Sequence, residues 1–99
     1  MATVEEVCEF IVDYMRRNDA TFSHWYVGIT DDPGFRIFED HGVSRDQGKW
    51  AYKKTDTETM ARAVEKLIKE TYGTKGGTSI GNEQTTFVYA YLITPATKE

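Results

Sequence analysis

The chain has 99 residues, 39% of them apolar and 13% aromatic, which is enough for one packed core over residues 1–99 and excludes an intrinsically disordered segment. No apolar run reaches the ~18 residues needed to span a membrane, and the acidic N-terminal stretch lacks the basic and apolar regions of an export signal. A net charge of −4 does not favour non-specific nucleic-acid binding, and a single cysteine, Cys8, cannot form an internal disulfide.

Residues 3–17 are predicted to form a helix. Thr3 and Glu6 have the spacing of a capping box, and Val4, Val7, Cys8, Ile11, Tyr14 and Met15 recur on one face. Cys8 on that apolar face reads as a buried thiol in a reducing compartment, so a cytoplasmic protein is expected. Residues 21–30 are rich in aromatic and β-branched side chains and predict a strand. Phe22, His24, Tyr26 and Gly28 would share one face, with Trp25, Val27 and Ile29 on the other.

Asp31-Asp32-Pro33-Gly34 predicts a turn that opens a short helix, with Asp32 as its cap and its end near His41 and Gly42. Residues 50–55 predict a second strand. Thr55 and Glu58 again have capping-box spacing, and a helix follows to Tyr72, stopping at Gly73. Its expected buried stripe is Met60, Val64, Leu67, Ile68 and Thr71. Residues 73–84 hold four glycines and predict a flexible loop. The last strand, 85–94, places Phe87, Tyr89, Tyr91 and Ile93 on one face and Val88, Ala90 and Leu92 on the other. Apolar residues on both faces suit a covered, central strand. The order αβαβαβ, without repeats or linkers, predicts an α+β fold: a small, mainly antiparallel, three-stranded sheet flanked by helices.

Charge is unevenly distributed along the chain. Residues 1–43 carry nine acids against three arginines; residues 44–75 carry eight bases against five acids. The middle can present a basic face, with Lys53, Lys54 and Lys69 as candidate nucleic-acid contacts, or an ordinary solvated edge.

The segments YVGIT, DDPGFRIF and WAYKKTDTETMARAVEKLI, within roughly residues 25–70, resemble the GIY-YIG nuclease superfamily. In that family a YIG strand precedes a helix bearing an essential arginine, and a later strand leads into a helix bearing an essential glutamate. The matching residues are Tyr26-Val27-Gly28, Arg36 ten residues after Tyr26, and Glu65. The resemblance implies a GIY-YIG-like fold and metal-dependent cleavage of a DNA phosphodiester. One Mg²⁺ or Mn²⁺ would sit on Glu65, Arg36 would hold the phosphate, and Tyr26 would help to place the water. The chain departs from the family pattern in three ways. An amphipathic helix occupies the place of the GIY strand, the arginine-to-glutamate distance is short, and the histidine often found four residues after the arginine is replaced by Asp40, with His41 next. The strand around Phe87-Val88-Tyr89 can fill the missing place. The domain would then be circularly permuted, with Tyr89 as the second tyrosine, and it requires strand 85–94 to run antiparallel to strand 22–30.

Each candidate also has a plainer reading. Arg36 serves equally as a phosphate fork or a solvated side chain. Glu65, at the boundary of the apolar stripe, suits a hard cation or an i,i+4 pair with Lys69. Tyr26 and His24 can serve a cleft or the core, and His41 can be a base near Arg36 or a residue favoured by a helix C-terminus. No P-loop, zinc-ligand set or catalytic triad is present in the spacing. Beside the nuclease stand two alternatives. One is a catalytically inactive binding domain for nucleic acid or a protein partner, and the other is a homo-oligomer formed through strand 85–94.

Overall fold

The computed structural model describes residues 3–76 and 84–98. Helix α1 spans Val4–Asn18 and helix α2 spans Glu58–Tyr72. Strands β1 (Trp25–Thr30), β2 (Trp50–Lys54) and β3 (Phe87–Leu92) form one sheet in the order β1-β3-β2, antiparallel throughout. The fold is the expected α+β arrangement, and the apolar C-terminal strand is central. None of the described helices is long and apolar enough to cross a membrane.

The caps explain the helix limits. The Thr3 hydroxyl accepts from the Glu6 N–H while the Glu6 carboxylate accepts from the Thr3 N–H. Helix α2 stops where Gly73 adopts a left-handed φ of 76°, a conformation that costs a side-chain-bearing residue more. Its start differs from expectation. Thr57, not Thr55, is the cap, and its hydroxyl accepts from the Met60 N–H. Thr55 is buried and donates to the carbonyls of Thr57 and Thr86, so its hydroxyl is already committed to tying β2 to the approach of β3.

Two further expectations are corrected. The predicted first strand begins later, because Phe22–His24 forms a 3₁₀ turn. Asp19 captures both the Thr21 N–H and His24 Nδ1 at 2.9 and 3.0 Å, which bends the chain before Trp25. His24 therefore leaves the face shared by Tyr26 and Gly28. The buried side of α2 is Ala61, Val64, Glu65 and Ile68, while Leu67 and Thr71 are exposed. The predicted loop 73–84 lies partly outside the described residues. At its start, Lys75 continues the sheet in parallel beside Tyr26, through Val27 N–H to the Lys75 carbonyl and Lys75 N–H to the Trp25 carbonyl.

The sheet separates two apolar clusters. On one face Trp25, Val27, Ile29, Val88 and Ala90 pack against Val7, Ile11 and Met15 of α1 and Val64 and Ile68 of α2. Each large side chain buried there contributes about 1.5–3 kcal/mol. On the opposite face Tyr89 and Tyr91 pack against Ile37 and Val43, flanked by Tyr26, Phe38 and Trp50.

Candidate active site

Strand register assembles the second face row by row. Tyr26 lies opposite Tyr91, which lies opposite Trp50; Gly28 lies opposite Tyr89, which lies opposite Tyr52. Side chains alternate along a strand, so all these residues point to the same side. Gly28 makes the arrangement possible. A Cβ there would meet the Tyr89 Oη at 2.5 Å and Cζ at 2.6 Å. The Tyr89 ring thus occupies the space that any side chain at position 28 would take.

The segment after β1 supplies the cover. Asp32 Oδ1 accepts from the Phe35 N–H, starting the short helix as expected. Residues Phe35–Asp40 then form a π-type turn, closed by the His41 N–H donating to the Arg36 carbonyl. The wider turn accommodates one more residue than an α turn, so the fifth residue after Arg36 closes over it. His41 is thereby directed inward. It is 6% exposed, and its ring lies 4.8 Å from Tyr26, 4.7 Å from Tyr91 and 5.5 Å from Tyr89 between centroids.

For a neutral His41 ring the hydrogen bonds fix which nitrogen carries the proton. Nδ1 lies 2.6 Å from the Lys98 carbonyl, which can only accept, so Nδ1 carries the proton. Nε2 is then the acceptor, and the Tyr89 hydroxyl donates to it at 2.8 Å. Tyr91 Oη lies 3.0 Å from Nδ1 and donates to the same Lys98 carbonyl at 3.1 Å. The Lys98 N–H closes the link by donating to the His41 carbonyl at 2.7 Å.

Tyr89 is almost fully buried, and burial, reinforced by Tyr26, Tyr91 and Glu65, pushes its hydroxyl well above the usual tyrosine range. The Arg36 guanidinium acts on it in the opposite sense. Arg36 lies on the turn that covers the tyrosine face, whereas Glu65 lies on α2, whose buried side packs against the other face of the sheet. Arg36 is partly exposed and pairs with Asp40 at 3.3 Å. Such an exposed pair is weak and readily exchanged for another anion.

Glu65 differs from its expected boundary position. It is 8% exposed, and its Oε2 is buried with no hydrogen-bond partner. Burial raises its pKa, opposed by Lys69 and Arg62. No Glu65–Lys69 ion pair forms among the described residues. An unpartnered buried oxygen is costly to a folded protein and is well suited to a cation. No group of three or more His, Cys, Asp or Glu side chains fit to hold a metal occurs among the described residues, so Glu65 would act as a lone protein carboxylate. A single carboxylate is the least that Mg²⁺, which retains several of its own waters, takes from a protein.

The lysines separate. Lys53 lies over Phe10 of α1 at 5.0 Å, whereas Lys54 lies over Phe87 at 6.0 Å on the tyrosine side. Lys69 sits on α2, one turn beyond Glu65. Tyr14, on α1, accepts from the Trp50 N–H at 3.0 Å. Sequence reasoning missed the roles of Tyr91 and Lys98. Tyr91 was accessible through its two-residue step from Tyr89, while nothing local marks the Lys98 carbonyl. The larger described cavity, about 240 Å³, is lined by Val43, Ser44, Gly48, Leu92, Thr94 and their neighbours, and includes none of the tyrosines, His41, Arg36 or Glu65.

No protein-family model, curated protein or solved structure matches the chain.

Proposed function

We propose that the chain is a divalent-metal-dependent endonuclease that cleaves DNA phosphodiesters, on a permuted GIY-YIG-like scaffold in which β3 takes the place of the GIY strand. One observation carries the reading. Tyr26 and Tyr89 lie on adjacent antiparallel strands with rings 6.3 Å apart, and the turn that bears Arg36 seats His41 against both rings. The π-type turn adds support, since it seats His41 where an α turn would seat the fourth residue after Arg36.

In this mechanism the Tyr89–His41 pair fixes one edge of the site. In the neutral ring, with Nδ1–H given to the Lys98 carbonyl, His41 Nε2 is unprotonated, so a proton leaving the Tyr89 hydroxyl has an acceptor. Tyr26 and Tyr89 orient the attacking water. Arg36 exchanges Asp40 for the scissile phosphate and offsets charge as it develops. Glu65 would hold one Mg²⁺ or Mn²⁺, which when bound stabilises the leaving oxygen.

The second reading, a binding domain without turnover, is favoured by the burial of Tyr89 and His41, which restricts access to that pair. Plasmid nicking separates the two. The nuclease requires Mg²⁺- or Mn²⁺-dependent conversion of supercoiled to open-circular DNA, abolished in Glu65→Gln and Arg36→Ala with the fold retained by circular dichroism. Nicking that persists in both folded variants rejects the site. Tight DNA binding with no nicking in either metal establishes the binding domain.

A further inference from the structure

The tyrosine face extends beyond the buried site. Ile37, Phe38, His41 and Val43 lie among the tyrosines, but the row formed by Tyr52 and the row formed by Phe87 and Lys54 continue past them. Tyr52 is 42% exposed, and Trp50 and Phe87 are half-buried. The Trp50 and Tyr52 rings are near-parallel, 7° apart in plane with centroids 6.2 Å apart. Phe87 meets Tyr52 edge-on at 5.9 Å, and Phe38 meets Trp50 edge-on at 4.8 Å.

Cations flank this aromatic row. The Arg45 guanidinium lies 3.9 Å above the Phe38 ring at one end, and the Lys54 ammonium lies 6.0 Å from the Phe87 ring at the other. Partly exposed rings flanked by cations form a recognisable ligand chemistry. Bases stack on the rings, and the cations follow the phosphates. A duplex keeps its bases stacked on each other and offers no face to such rings. A protein partner would find two cations at the row's ends and no exposed acid in the row itself.

We propose that Trp50, Tyr52 and Phe87, flanked by Arg45 and Lys54, form a stacking platform for unpaired nucleotides of a nucleic-acid strand. The platform does not depend on catalysis. Tyr52 sits directly across from Tyr89, so a strand on the platform passes beside the Tyr89–His41 pair.

The test is binding of an oligo(dT) of about twelve nucleotides, compared with a duplex of equal length, at low salt and without metal. Anisotropy of labelled DNA and quenching of tryptophan emission are read together; Trp25 is fully buried, so Trp50 is the responsive indole. The platform requires tighter binding of oligo(dT) than of duplex and an approximately tenfold loss in Tyr52→Ala. Tyr52→Phe retains binding because it keeps the ring, and Lys54→Ala lowers the salt slope by about one. Duplex bound as tightly as oligo(dT), undiminished binding in folded Tyr52→Ala, or self-association through this face in place of DNA binding overturns the proposal. The binding measurement contains no metal, so its failure does not bear on the cleavage site, which plasmid nicking tests independently.

Discussion

The Tyr89 hydroxyl donates to His41 Nε2 across 2.8 Å, joining the central strand to the turn that follows β1. Forty-eight residues separate the two in sequence. The bond is buried, and the opposite side of the imidazole is held by Lys98 near the C-terminus. It connects three parts of the chain, so its removal has effects beyond one lost contact.

Tyr89→Phe removes the buried hydroxyl that bonds to His41 Nε2. Stability falls by about 0.5–1.5 kcal/mol, the usual net contribution of one hydrogen bond. Urea unfolding measures this as a lower midpoint at unchanged slope. A spectrophotometric titration provides an independent check. Burial holds the Tyr89 hydroxyl neutral above the usual tyrosine range, so the substitution leaves the phenolate signal between about pH 9 and 11 unchanged. Loss of one tyrosine's amplitude in that range would show that Tyr89 ionises normally.

Gly28→Ala introduces a Cβ into the space of the Tyr89 ring, at 2.5 Å from its Oη. The ring is packed and hydrogen-bonded, so the strain is relieved by moving it away from His41. Destabilisation of about 1–3 kcal/mol is expected, as for overpacking elsewhere. Combining Gly28→Ala with Tyr89→Phe costs less than the sum of the two, because both disturb the same bond. Additive effects in a double-mutant cycle would separate Gly28 from the Tyr89–His41 pair.

Glu65 gives a pH dependence whose sign follows from burial. Its folded pKa lies above that of the unfolded chain, so the native state binds the extra proton. Its contribution to stability is present below the ordinary carboxyl range and is lost as pH rises through the raised folded value. Glu65→Gln removes this dependence. The variant melts several degrees higher than the native chain at neutral pH, where ~1 kcal/mol corresponds to about 4–8 °C, and the difference closes on acidification. Mg²⁺ should raise the melting temperature of the native chain and leave the variant unchanged. Equal magnesium shifts would remove Glu65 as the ligand.

Thr57→Ala removes the side-chain cap of α2 and costs about 1 kcal/mol. Thr55→Val acts by a different route: it removes the two bonds of a buried hydroxyl to the Thr57 and Thr86 carbonyls, each of which keeps a backbone N–H donor, and costs about 0.5–1.5 kcal/mol. Thermal melts of the two variants distinguish cap from tie. A neutral Thr55→Val would restore Thr55 as a mere flanking residue.

The sequence by itself determined what depends on near neighbours. Thr3 with Glu6 set the start of α1, Gly73 set the end of α2, and apolar residues on both sides of 87–92 marked a central strand. These features rest on hydrogen bonds and side-chain periodicity spanning a few residues. The tertiary structure decided the site. Hydropathy periodicity placed Leu67 in the core and Glu65 at its boundary. The helix instead turned Ala61, Val64, Glu65 and Ile68 inward, because small Ala61 permits close approach and only the partner surfaces define which side is inside. The π-type turn that directs His41, and the Lys98 carbonyl that fixes its proton, have no local signature. Both arise because distant segments satisfy each other's buried polar groups, a condition that exists only once the chain has folded.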